Sequence, residues 1–100
     1  MPDHTLHIRV RGEEWAALFS NRTPMLKRSE WGKCDHTARV FAVRASLRGV
    51  SAIDTAIHEF THAYFPDLVE ESVNEFATQL AAFLVQANMA DADWTRKDLE

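Results

Sequence analysis

The segment that decides the fold is SAIDTAIHEFTHAYF, at residues 51–65. Its apolar side chains recur at intervals of three and four residues, which is the period of an amphipathic helix. These side chains are Ile53, Ala56, Ile57, Phe60 and Tyr64. Ser51 and Asp54 match a capping box, in which Ser51 is the N-cap and Asp54 reaches back to it. The segment therefore predicts a helix from about Ala52 to Phe65.

Within this helix the chain reads His58-Glu-Phe-Thr-His62, the His-Glu-x-x-His pattern. The four-residue spacing puts both histidines on one helical face, one turn apart, so both imidazoles can bind the same metal ion. Glu59 projects beside that ion, where it can act as a general base. The pattern predicts a zinc site in which Glu59 is the catalytic residue.

A second helix is predicted to follow directly. Pro66 breaks the first helix, and the side chain of Asp67 can cap the second one. The apolar residues of the second helix again follow helical spacing, and we predict that they form one continuous buried face. They are Val69, Val73, Phe76, Leu80, Phe83, Leu84 and Ala87. We expect this helix to end near Asn88.

A catalytic zinc site usually has three protein ligands and one water molecule, so a third ligand is needed. The acidic candidates just beyond the first helix are Asp67, Glu70, Glu71 and Glu75. At 100° per residue, Glu70 lies at the edge of the apolar stripe, whereas Glu71 and Glu75 point almost opposite. Glu70 is the predicted third ligand. Glu71 is the alternative, because the first turn of a helix can be tilted or wound differently.

The first half of the chain predicts strands: apolar and polar residues alternate in the first segment, and aromatic content and hairpin-like spacing favour a strand over a short helix in the second. They fall at residues 5–10, 14–19 and 38–44, and Ser20 to His36 is predicted to be a long loop. We predict an α+β fold with a small, mostly antiparallel three-stranded sheet packed on two antiparallel helices. Residues 1–100 are expected to form one domain, with a core at about 5–90 and a charged tail at 91–100.

Two segments carry a family resemblance. His58-Glu-Phe-Thr-His-Ala63 and Glu70-Glu-Ser-Val-Asn-Glu-Phe-Ala77 together resemble the zincin metallopeptidases of the gluzincin type, and the ImmA/IrrE-like peptidases. Over about residues 6–90, the chain resembles small metallopeptidase-like proteins of phages and prophages. The resemblance implies a zincin-like minimal core with Zn²⁺ as cofactor and Glu70 as a ligand. It also implies hydrolysis of a protein or peptide substrate.

Two functions are consistent with these features. The first is a zinc-dependent metallopeptidase with Glu59 as general base. The alternative is a catalytically inactive, zinc-stabilised protein-binding module of phage or prophage type, which the small size of the chain favours.

Cys34 and His36 are accessory candidates in the predicted loop. A thiolate that approaches the zinc can fill its open position and silence it, or close a structural site. The alternative reading is a half-buried thiol followed by a turn-forming Asp35-His36 pair.

The net charge of −4 is unevenly distributed. Residues 1–50 carry nine Lys or Arg and five Asp or Glu, whereas residues 51–100 carry two and ten. The basic half lacks a helix-turn-helix, zinc-finger or aromatic RNA-binding pattern, so we expect no nucleic-acid partner. Its positive charge suits a substrate of acidic character.

No apolar stretch reaches the roughly 20 residues of a membrane span. The first residues lack signal-peptide features and Cys34 has no intrachain partner, so we expect the cytoplasm of a bacterium or a phage-infected cell.

Overall fold

The computed structural model of the chain describes residues 3–90, which form four strands followed by two helices. The elements are β1 His4–Val10, β2 Glu13–Phe19, β3 Gly32–Asp35, β4 Val40–Val43, α1 Gly49–Tyr64 and α2 Glu70–Gln86. The predicted α+β class is confirmed. The tail predicted at 91–100 lies outside the described residues. Neither helix is long and apolar enough to cross a membrane.

The sheet differs from the prediction in strand number and in strand direction. Its order is β1-β2-β4-β3, so it has four strands where three are predicted. The two outer pairs are antiparallel, but the central pair, β2 and β4, is parallel. The additional strand, β3, lies within the predicted loop from Ser20 to His36. Its sequence, Gly-Lys-Cys-Asp, has neither the apolar alternation of β1 nor the apolar runs of β2 and β4.

A two-residue turn joins β1 to β2. Arg11 and Gly12 both have positive φ, at 52° and 80°, and Val10 pairs with Glu13. This is the pattern of a type I′ hairpin, whose twist matches that of the strands on either side.

The core lies between the sheet and α1. Val10, Trp15, Phe19 and Phe41 of the sheet are buried together with Ala63 of α1. Helix α1 packs on β3 and β4, and α2 packs on α1. The helices run antiparallel, as predicted, because His62 near the end of α1 meets Glu70 at the start of α2, and Asp54 near the start of α1 meets Thr78 farther along α2.

The buried face of α2 is not the predicted apolar stripe. Its buried residues are Val73, Ala77 and Ala81, whereas Phe76 is 49% and Phe83 58% exposed. Because α2 packs on α1 and not on the sheet, it buries a narrow line of mostly small residues. Within the predicted stripe, Val73 is buried and Leu80 and Leu84 are half-buried, whereas Val69, Phe76 and Phe83 are exposed.

Both predicted N-caps are wrong. Helix α1 begins at Gly49, so Ser51 lies inside its first turn, and the N-cap Arg48 makes no side-chain cap bond. Helix α2 begins at Glu70 with Val69 as N-cap. Asp67 lies instead in a turn closed by the Leu68 N–H, which donates to the Phe65 carbonyl over 3.1 Å.

Candidate metal centre

Helix α1 directs two imidazoles toward one point. His58 and His62 are half-buried on the same face, and their Nε2 atoms are 3.1 Å apart. Two neutral imidazoles can form at most one hydrogen bond at this distance, because one nitrogen must donate and the other accept. The spacing predicted from the sequence therefore brings both nitrogens together.

Glu70, the first residue of α2, completes the group. Its Oε1 lies 2.7 Å from His58 Nε2 and its Oε2 lies 3.1 Å from His62 Nε2. The turn between the helices is short enough to return the chain to the face that carries the histidines. Glu71, the alternative ligand, is exposed and lies outside this cluster. We call His58, His62 and Glu70 the metal cluster.

The donor set of the metal cluster suits a metal ion. In a tetrahedral zinc site with bonds of ~2.0–2.1 Å, neighbouring ligand atoms are about 3.3 Å apart. The distances of 2.7–3.1 Å within the cluster are about 0.2–0.6 Å shorter than this value, so small side-chain shifts would admit an ion. Two neutral imidazoles can each donate an Nε2–H to the Glu70 carboxylate, and with both Nε2 atoms unprotonated the same three groups present lone pairs to a cation. The cluster can therefore hold a metal ion.

Glu59 lies beside the metal cluster and is only 6% exposed. Burial, followed by repulsion from Glu70 and Glu30, raises the pKa of Glu59 from 4.5 to about 7. Within residues 3–90, no hydrogen-bond donor contacts its carboxylate, although buried polar groups usually have a partner. The carboxylate faces two adjoining clefts, so a group that enters either one can reach it.

Gly32 of β3 makes room for Glu59. A Cβ atom at residue 32 would lie 2.7 Å from Oε2, 2.8 Å from Cγ and 3.0 Å from Cδ of Glu59. These distances are shorter than van der Waals contact, so any side chain at residue 32 would displace the carboxylate. Gly32 is not among the site residues predicted from the sequence. The available signal was a single glycine in a long loop, which can mark a close backbone approach.

The metal cleft is lined by the metal cluster, by Glu59 and by the β3 segment, and has a volume of about 330 Å³. A neighbouring cleft shares Gly32, His58 and Glu59 with it and continues past Trp31. The two clefts therefore follow β3, which is an edge strand of the sheet. Asn74, one turn after Glu70 on α2, lines the neighbouring cleft but makes no hydrogen bond to Glu70 in the described chain.

Both accessory candidates line the metal cleft. The His36 Nε2–H donates to the His62 carbonyl over 2.7 Å, which ties the end of β3 to α1. Cys34 Sγ lies 4.0 Å from His36 Nε2. Burial, followed by the charges of Glu59 and Asp35, raises the pKa of the Cys34 thiol to about 12.

Two other polar side chains, Tyr64 and Arg44, are absent from the lining of the metal cleft and contact other parts of the fold. Tyr64 stacks on Phe60 and contacts Phe65. The Arg44 guanidinium donates to the carbonyls of Glu30 and Lys27, so it holds the loop before β3.

Comparison with family models, with curated proteins and with solved structures finds no match to this chain.

Proposed function

We propose that this protein is a zinc-dependent metallopeptidase that acts in the cytoplasm. One observation carries the proposal: two imidazole nitrogens and a carboxylate converge within 3.1 Å, beside a buried and unpaired glutamate. Three protein ligands with a nearby carboxylate are the parts of a catalytic zinc site. His58, His62 and Glu70 would hold the ion, and the imidazole and carboxylate donors suit Zn²⁺.

Glu59 is the general base of the proposed reaction. Bound zinc supplies an acidified water and polarises the substrate carbonyl. Glu59 takes a proton from the attacking water and gives it to the leaving amine, so the carboxylate is restored after each turnover. Its raised pKa suits both roles, because a group that titrates near neutral pH can accept and return a proton. Lys33 lines the metal cleft and can donate to the developing oxyanion.

The substrate we expect is an extended peptide. The outer side of β3 has no strand partner among the described residues, and its free backbone groups run beside the metal cleft. An extended peptide can add to such an edge through main-chain hydrogen bonds, which hold the scissile bond in a fixed register.

The test begins with the metal content of the purified protein, measured by elemental analysis. We expect about one zinc per chain. The Glu59→Gln variant should keep the zinc and lose peptide hydrolysis, because the amide cannot accept the proton. Glu75→Gln is the matched control, since Glu75 is an exposed glutamate on α2 outside the metal cluster. Wild-type hydrolysis by the Glu59→Gln variant would contradict the mechanism.

A zinc-stabilised protein-binding module remains a second candidate. The observation in its favour is the exposed apolar surface at Phe60, Phe76 and Phe83, since large exposed apolar side chains often mark protein interfaces. This function predicts bound zinc without hydrolysis of any member of a peptide library. It also predicts that removal of zinc with a chelator lowers the Tm.

A further inference from the structure

A third cavity lies on the far side of His36 from the metal cluster. Its volume is about 380 Å³, and Val10, Trp15 and Ala63 of the core form its apolar lining. Two guanidinium groups, those of Arg11 and Arg39, stand at its polar side. We call this cavity the arginine pocket.

The backbone at both arginines is unusual. Arg11 has φ = 52° and Arg39 has φ = 56°, and only one other non-glycine residue between 3 and 90 has positive φ. An L-residue in this left-handed region costs about 1–2 kcal/mol, and Gly, Asn or Asp occupy it at lower cost. Two separate turns therefore place an unfavourable arginine at the same cavity. Unfavourable backbone positions tend to be kept where the side chain has a function.

The arginine pocket has spare hydrogen-bond donors and about one uncompensated positive charge. Arg39 pairs with Glu13 over 2.7 Å, so their charges balance. Arg11 has no carboxylate partner in the described chain; its guanidinium donates to the Tyr64 carbonyl over 3.4 Å and lies 6.0 Å from the centroid of the Tyr64 ring. The Trp15 side chain is 5% exposed, and its indole N–H has no acceptor among residues 3–90. A buried donor without an acceptor indicates a missing partner.

The charge balance favours a carboxylate over a phosphate group. One net positive charge matches a monoanion, whereas a phosphate monoester carries nearly two negative charges at neutral pH. A guanidinium also binds a carboxylate through two parallel hydrogen bonds. The apolar lining can cover the methylene groups of an acidic side chain.

His36 connects the arginine pocket to the metal cleft. It lines both, its Nε2 bonds to the His62 carbonyl, and its ring meets Trp15 edge-on at 5.6 Å. A peptide that lies along β3 across the metal cleft reaches the arginine pocket at the His36 end. We infer that the arginine pocket binds the carboxylate of an acidic residue in the peptide that the metal cleft cleaves. The role of the pocket in substrate binding rests on the proposed function. The binding test below does not depend on peptidase activity.

The binding test uses ¹⁵N-labelled full-length protein and follows the indole N–H signal of Trp15, assigned with Trp15→Phe. N-acetylglutamate α-amide should move this signal, with a Kd on the order of millimolar, and N-acetylglutamine α-amide should not. Arg11→Asn should weaken binding about tenfold, the effect of one lost charge-assisted hydrogen bond. Asparagine suits positive φ, so this variant should keep or raise the Tm. Arg28→Asn removes the same charge from an exposed site outside the pocket, and should leave the Kd for N-acetylglutamate α-amide unchanged.

Three results would overturn the inference. They are equal shifts with both amides, unchanged affinity in folded Arg11→Asn, and tighter binding of inorganic phosphate than of the glutamate amide. A hydrolysis test compares one cleaved peptide with glutamate or glutamine at each position. We expect a preference of about tenfold for glutamate at one position, lost in Arg11→Asn; no such preference would reject the pocket as a substrate site. If no peptide is cleaved, the proposed function fails and the binding test alone decides on the pocket.

Discussion

The close approach of Gly32 to Glu59 gives the sharpest prediction about the site. A methyl group at residue 32 would lie 2.7 Å from Oε2 of Glu59, about 0.7 Å inside ordinary contact. The same methyl group would lie 2.8 Å from Cγ and 3.0 Å from Cδ, so rotation of the carboxyl group alone does not relieve the overlap. Overpacking of this kind costs about 1–3 kcal/mol, and alanine regains about 0.5–1 kcal/mol of backbone entropy. We expect Gly32→Ala to lower the free energy of unfolding by about 1–2 kcal/mol.

The Gly32→Ala substitution should also lower the rate of peptide hydrolysis, even under conditions in which the variant is fully folded. A displacement near 1 Å can lower the rate about 100-fold, because proton transfer depends on position. Urea denaturation measures the stability change, and peptide hydrolysis by the folded variant measures the rate. Gly32 lacks the positive φ of Gly12 and Gly49, so a side chain at this position meets no backbone strain.

A double-mutant cycle isolates the contact. In a Glu59→Ala background the new methyl group meets no carboxylate, so Gly32→Ala should be neutral or stabilising by up to about 1 kcal/mol. The coupling between the two positions should then be about 1–3 kcal/mol. An equal destabilisation in both backgrounds would show that the contact with Glu59 is not the cause. A Gly32→Ala protein that hydrolyses peptide at the wild-type rate would refute the geometry of the site.

Three other predictions concern the titrating and metal-binding groups. In metal-free protein, the pKa of Glu59 is higher in the folded than in the unfolded state. Its contribution to the free energy of unfolding is therefore fully present below pH 4.5, and about 3 kcal/mol is lost as the pH rises through 7. Glu59→Gln should remove this fall in urea denaturation curves, and an unchanged pH profile would contradict the assignment. Glu70→Ala should weaken zinc binding, measured by chelator competition, at least 10-fold more than Glu71→Ala, and equal retention would exclude Glu70 as a ligand. The raised pKa of Cys34 should slow alkylation by iodoacetamide at pH 8 in metal-free folded protein more than 100-fold relative to the unfolded chain; similar rates would show an accessible thiolate.

The sequence predicts the metal cluster well because a helix fixes relative positions. Four residues of α-helix bring His58 and His62 to one face wherever the helix lies in the fold. Glu70 follows from the same geometry, applied to the helix that the turn at Pro66 and Asp67 returns alongside. The structure places all three ligand atoms within reach of one ion.

Features that depend on packing were not predictable in the same way. Strand β3 owes its place to pairing with β4, and its own residues carry no strand pattern. Phe76 and Phe83 have the spacing of a buried face, yet α2 packs through Ala77 and Ala81, because among the described elements it packs mainly on α1. The role of Gly32 depends on which side chain lies opposite it. Such contacts are set by the whole fold and not by local periodicity.

The coordination shell of the metal tests the central claim most directly. We would load the full chain with zinc and determine its ligands by X-ray crystallography, with anomalous diffraction at the zinc edge to identify the ion. The account predicts zinc bound by Nε2 of His58, Nε2 of His62 and the carboxylate of Glu70, with a water in the remaining position within reach of Glu59. A shell closed by the Cys34 sulfur would contradict catalysis, and zinc bound elsewhere would contradict the site itself.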